Sequence, residues 1–586
     1  MNPVIALLPA LFATIPAHQD SMPAAAATAT PAFAPVEARD TASLTAHLES
    51  FAKANAGRAS LRVAAKSPVD RPIHLLTLAE DVSTADAQPA ILVLAGMDGH
   101  RWSTTEAALA LADRIVRDWP SGLAGITVHV VPRGNPDPAE AFARGTRRAY
   151  SGDGISHDND KDGPGDEDPP RDLNGDGLVT QMRKSGEAMP WTKPAMVSDP
   201  ADARMMRAPK AAEGELPTWT VWTEGIDADA DGRIGEDWVG GIDPERNFPH
   251  RWPEFEDEAG VYPLLAPESK WLADFVIARP RLVGAVVLGR HDTVVNVPDA
   301  RQRTPHGMPW MIDEADAAAY AELAKAFREV TGQSRAAGAD TSGSFVAWMN
   351  AQRGIPTFAS TLWGRPDLPD APKPPEGTPA PPAPSDPEEA AWLRYSDEMR
   401  GGRGFVPWTK QPHPQLFEVE VGGWVPGFRE NPPVDEVAGL AAKHAQFLER
   451  LAAARPKVTL AEPTVTALGP GLWRVETSIA NTGRLPTVMR GGRAEGVAQA
   501  HVVRISVPVD RIRSGKRVQV MRGLDAGAQE RFTWIVSAAQ GEAVTVEVVH
   551  AGRVEASHSF VDGKRVAAQA ATEAAAEGTA KTGGGR

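Results

Sequence analysis

Three short runs dominated by aliphatic residues, at 91–95, 126–131 and 282–288, constrain this chain more than any other feature. Each has the length and composition of a buried strand, and longer amphipathic stretches separate them. That alternation predicts helices packed on a largely parallel sheet, an α/β fold, from Val36 to about Arg455. After the first run, Ser103 and Glu106 have the spacing of a capping box, with Ala108, Ala112, Ile115 and Trp119 at helical spacing behind them. Further helices are expected at 267–278, 314–331, 344–353 and 434–454.

A chain of 586 residues exceeds what one core of roughly 250–300 residues holds, so one large and one small domain are expected. The large one spans 35–455. It is interrupted by an Asp-rich insertion at 150–240 and a Pro-rich loop at 365–387, neither of which is expected to carry core packing. Beyond Pro456, strand-like segments at 472–479, 501–507, 543–549 and 553–560 alternate with Gly, Asn and Asp turns and predict a small β-sandwich over 456–566. Residues 567–586, rich in Ala, Glu, Gly and Thr, read as a disordered tail.

Residues 1–34, an apolar stretch followed by an Ala, Thr and Pro run, read as a signal peptide and low-complexity spacer, although no Lys or Arg precedes the apolar stretch. The expected location is therefore secreted or periplasmic. No apolar run approaches the roughly 20 residues that span a bilayer. The net charge of −15 argues against a nucleic-acid partner, which needs a basic face. The absence of cysteine excludes a thiolate metal site and a Cys nucleophile.

In an open parallel sheet ligands bind at the carboxyl ends of the strands. The loops after Ala95 and Leu288 carry Asp98, His100 and Arg101, and then His291 and Asp292. Carboxylates and neutral imidazoles converging from two strand ends suit zinc; the alternative is that each His is a hydrogen-bonded loop residue.

Several motifs carry a family resemblance. Residues 95–102 running into Glu106-Ala107, Asn135-Pro136-Asp137, 241–249, His291-Asp292-Thr293 and 353–363 occur in the order found in the carboxypeptidase A type of zinc metallocarboxypeptidase. Residues 172–183 resemble an insertion of a bacterial secreted branch. The resemblance covers roughly residues 40–455 and implies a carboxypeptidase-like mixed sheet flanked by helices. It also implies zinc as cofactor and peptide hydrolysis as activity.

The matching site positions depart from the family pattern. The His-x-x-Glu zinc ligands correspond to Asp98 and Arg101, and the third ligand to His291. Arginine stays protonated and offers no lone pair, so zinc would be held weakly unless His100 replaced it. The general base corresponds to Thr361, whose hydroxyl does not ionise near neutral pH. The Asn-Arg pair that holds a peptide C-terminus corresponds to Glu245 and Arg246, and Glu245 would repel a carboxylate or claim the guanidinium. The oxyanion arginine corresponds to Arg147 or Arg148. The expectation is an exported protein that binds peptides or peptide-bearing polymers without cleaving them. The alternatives are an active, zinc-dependent metallocarboxypeptidase with a rearranged site, and a calcium-stiffened interaction protein whose sandwich contacts a partner.

Calcium is suggested by three Asp-rich loops with hard oxygen ligands at alternating positions: Asp158, Asp160 and Asp162; Asp172, Asn174 and Asp176; and Asp227, Asp229 and Asp231. Asp166, Asp168, Glu236 or Asp237 would complete the shells; solvated acidic turns without metal are the alternative. The 16 tryptophans beside four tyrosines read as packing rather than a sugar platform, and Glu418 and Glu420 as charge on an edge strand.

Overall fold

The computed structural model describes residues 37–156, 163, 165–166, 168–186, 193–228, 232–235, 240–369, 382–497 and 499–566. The expected leader and tail, Asp158, Asp160, Asp162, Asp229, Asp231, Glu236, Asp237 and most of the Pro-rich loop lie outside the described residues.

A six-stranded mixed sheet forms the centre of the larger part. Strands β1 (Ala59–Lys66) and β2 (Pro72–Leu78) run antiparallel, and β2 pairs antiparallel with β4 (Thr127–Val131). From there β4, β3 (Ala90–Ala95), Leu282–Leu288 and Thr357–Ser360 run parallel in that spatial order. All six residues of β3 are buried, as an apolar strand covered on both faces requires. Ala95 pairs with Leu288 and Leu288 with Ser360, so three strands end abreast and the loops that follow open at one edge.

Helices α1 (Thr41–Ala54), α2 (Trp102–Asp118), α3 (Pro136–Arg144), α4 (Pro267–Ile277) and α5 (Ala317–Thr331) surround the sheet, and Val434–Ala454 packs on α2 and α5. The helix expected over 344–353 is α-helical at Phe345–Trp348 and continues as a π-helical turn, Met349–Arg353. The capping box does not form. Arg101 occupies the N-cap of α2 without a side-chain bond. The Ser103 N–H donates to Asn431 Oδ1 at 3.0 Å, and Glu106 accepts from Arg39 Nε and Nη2 at 3.1 and 3.3 Å. Ser103 and Glu106 are fully buried, where a long-range cation outcompetes the local cap.

The Asp-rich insertion carries packing that its composition hides. Its strands Gln181–Ser185 and Trp219–Thr223 join Phe405–His413 and Phe417–Trp424 in a four-stranded antiparallel sheet over a small core of Met182, Ile234, Leu416, Val419 and Val421. Phe417–Trp424 is an interior strand, not an edge. Glu420 takes Arg183 at 2.8 Å, and that guanidinium lies 4.4 and 4.3 Å from the ring centroids of Trp219 and Trp408. After Pro456 two antiparallel five-stranded sheets enclose Val475, Ile479, Val503, Trp534, Val546 and Phe560.

Candidate functional site

The loop after β3 is set by close packing. A side chain at Gly99 would place its Cβ 2.3 Å from the carbonyl carbon of Pro138, and Gly96 has φ +63°. The chain thereby turns Asp98 inward. Its Oδ1 accepts from the Ser151 hydroxyl at 2.8 Å and lies 3.2 Å from Arg290 Nη1, while Arg101 Nε stands 3.8 Å from Oδ2. Arg290 reaches a second carboxylate with its other nitrogen, Nη2, 2.5 Å from Asp243 Oδ2. One guanidinium thus joins two carboxylates brought from loops about 145 residues apart in sequence. Burial pushes the Asp98 carboxyl up, but Arg290 and then Arg101 outweigh it and hold it at about 2. At Asp243 burial prevails over Arg290, and its carboxyl is raised to about 6. The Arg290 guanidinium is itself held firmly charged, since the two carboxylates outweigh its burial.

Beside this group His291 Nε2 lies 3.1 Å from Glu245 Oε2, a close contact without aligned hydrogen-bond geometry. The side chains of Asp98, Asp243, Glu245 and His291 are no more than 3 % exposed, so solvent does not reach them. Above them lies a cleft of about 520 Å³ whose walls include Arg101, Thr361, Trp363, Arg365, Trp392 and Arg429. Arg101 faces the cleft on one side and Asp98 on the other. Arg101 thus puts a cation on the floor of the cleft.

The remaining candidate residues are placed as follows. The Thr361 hydroxyl donates to the Trp363 carbonyl at 2.9 Å and accepts from Gln333 Nε2 at 3.1 Å. Arg246 pairs with Glu256 rather than with Glu245. His100 is hydrogen-bonded to the Tyr150 backbone, its Nδ1 has no partner, and burial, then Arg101, lower its pKa. Arg147 lies 5.5 Å from the Phe142 ring centroid and Arg148 4.2 Å from that of Tyr150; neither lines the cleft. Asp292 caps its own loop by accepting from the N–H groups of Val294, Val295 and Asn296. Arg290 and Asp243 are the residues that sequence reasoning missed; Arg290 directly precedes His291, but nothing local shows which carboxylates it meets.

These residues do not fit zinc. Two guanidiniums flank the only carboxylate of the ligand positions, and their charge opposes a divalent cation. Among the described residues, no group of three or more His, Asp or Glu is arranged to hold a metal. Of the aspartate loops, Asp172 accepts the N–H groups of Gly175 (2.7 Å) and Gly177 (2.7 Å), and Asn174 that of Asp176 (2.9 Å). Asp227 accepts from Gly232 at 3.2 Å, Asp168 from Ala228, and Asp166 takes a left-handed turn at φ +62°.

Residues 44–168 match the family model for zinc carboxypeptidase, and residues 457–559 match a domain of unknown function (DUF8731). The chain therefore has a segment, residues 44–168, that is similar to the zinc carboxypeptidase family, within a mixed α/β fold. It is similar to the carboxypeptidase A of Helicoverpa armigera at 14% identity and TM-score 0.34, covering 57% of this chain and 66% of that one. It thus spans slightly less than two thirds of that relative. Thrombin activatable fibrinolysis inhibitor is similar at 10% identity and TM-score 0.34, covering 71% of this chain and 74% of that one. A metallo-carboxypeptidase from Burkholderia cenocepacia is similar at 12% identity and TM-score 0.30, covering 68% and 67%. No curated protein matches the chain.

Proposed function

We propose that this chain is an exported carboxypeptidase-like protein that binds peptides or peptide-bearing polymers in its cleft and does not hydrolyse them. The observation that carries the reading is the Arg290 bridge between Asp98 and Asp243, sealed beneath Arg101. Hydrolysis needs an activated water beside the scissile carbonyl. Here the ligand positions are solvent-excluded, and the base position holds a threonine committed to two hydrogen bonds. Recognition groups persist: Arg101 and Arg429 can receive carboxylates, and Trp363 and Trp392 offer apolar contact. Calcium in the Asp-rich insertion belongs to the same proposal, as a structural ion that would stiffen the loops.

The reading is tested with fluorescently labelled peptides carrying free C-termini. Saturable binding that weakens at least tenfold in Trp363→Ala, without release of the terminal residue and without change on adding a zinc-selective chelator that spares calcium, is the expected result. Release of the terminal amino acid that depends on added zinc would overturn it.

A further inference from the structure

A second cavity lies at the opposite edge of the parallel strands. Its wall includes Pro89, Leu282 and Pro356, which stand just before or at the start of three neighbouring strands, whereas Asp98, His291 and Thr361 follow their ends. The rest of the wall comes from the end of α4, the end of the π-helical turn, the loop holding Val488 and the C-terminal strands, so the cavity sits where the two parts of the chain meet. Its volume is about 370 Å³. That falls in the range of roughly 300–1,000 Å³ typical of small-ligand pockets, which favour such junctions.

The lining has two characters. Ile277, Ile355, Val458 and Val488 make an apolar side. The lining also includes Arg279, Arg281 and Arg353 and one carboxylate, Glu555, which pairs with Arg281. Three guanidiniums thus stand against one carboxylate, and among the described residues neither Arg279 nor Arg353 forms an ion pair. His501 and His550 stack at 4.2 Å and 8° on paired strands and add no charge: burial lowers the pKa of both, that of His501 to about 3.

We infer that this cavity is a binding site for an amphipathic organic anion, its apolar body against Ile355 and Val488 and its anionic group on Arg281 and Arg353. An inorganic anion would leave the apolar side unused. A neutral ligand would leave the excess of guanidinium charge in the lining without a counter-charge.

The probe is anilinonaphthalene sulfonate, titrated into the full chain by fluorescence, with neutral phenylnaphthylamine in parallel. Expected is one saturable sulfonate site per chain, weakened at least tenfold by Arg353→Gln and abolished by Val488→Trp, which fills the cavity. Phenylnaphthylamine should bind wild type and Arg353→Gln within a factor of two of each other. Should Val488→Trp fail to fold, Ile277→Trp serves, since Ile277 is 55 % exposed at the rim. Several weak sites, or sulfonate affinity within twofold of wild type in these variants, would overturn the proposal.

Discussion

Arg290 holds two carboxylates that would otherwise repel one another in a site shut off from water. Removing one member of a buried charge group leaves its partners uncompensated, at a cost of about 3–5 kcal/mol. Arg290→Met should therefore lower stability by about that amount in urea unfolding. Arg290→Met with Asp98→Asn should recover part of the loss, because one of the stranded charges is gone. Equal stability of Arg290→Met and wild type would contradict the bridge. Glu268, on α4, makes a separate pH prediction. Its carboxylate oxygens are buried without partners, and burial raises its pKa from 4.5 to about 8. Between those values the folded chain holds a proton that the unfolded chain has released, so stability falls as pH rises through this window. Glu268→Gln should flatten that slope and raise stability at pH 8 by roughly 2–4 kcal/mol. An unchanged slope would show that the carboxyl titrates normally.

Elements were legible where they are long and periodic. The helix at Val434–Ala454 and the strand Leu282–Leu288 have the bounds their patterns predict, because apolar spacing alone decides them. The four-stranded sheet was not legible. Gln181–Ser185 is short and polar at its ends, and its partner Phe417–Trp424 lies more than 200 residues away. What fixes that pairing is a long-range contact, Arg183 on Glu420 between two indoles. Arg183→Ala should cost about 1–3 kcal/mol, as lost cation–π contact and a partly buried ion pair together imply. Limited proteolysis should then cut the insertion faster than in wild type, and an unchanged pattern would place its stability elsewhere. The capping box failed for a similar reason: Ser103 and Glu106 have the right spacing, but Asn431 and Arg39 reach them first.

At the scale of the whole molecule, the sheet brings its strand ends abreast, and the residues that the motifs single out lie just beyond them. Asp98, Arg101, His291 and Thr361 all follow those ends. The sequence could tell that Arg101 gives no lone pair; it could not tell that Arg290 and Asp243 complete an ion network around Asp98, since that depends on loops converging only in the fold. On the proposed reading, guanidinium charge stands where a zinc carboxypeptidase would hold its metal. The most direct measurement of this is the zinc content of the folded protein after incubation with excess zinc and dialysis, read by plasma mass spectrometry alongside the melting temperature. Far less than one equivalent of zinc per chain is expected, with a melting temperature unmoved by zinc or by a zinc-selective chelator that spares calcium. Close to one equivalent, lost in His291→Ala, would contradict that reading.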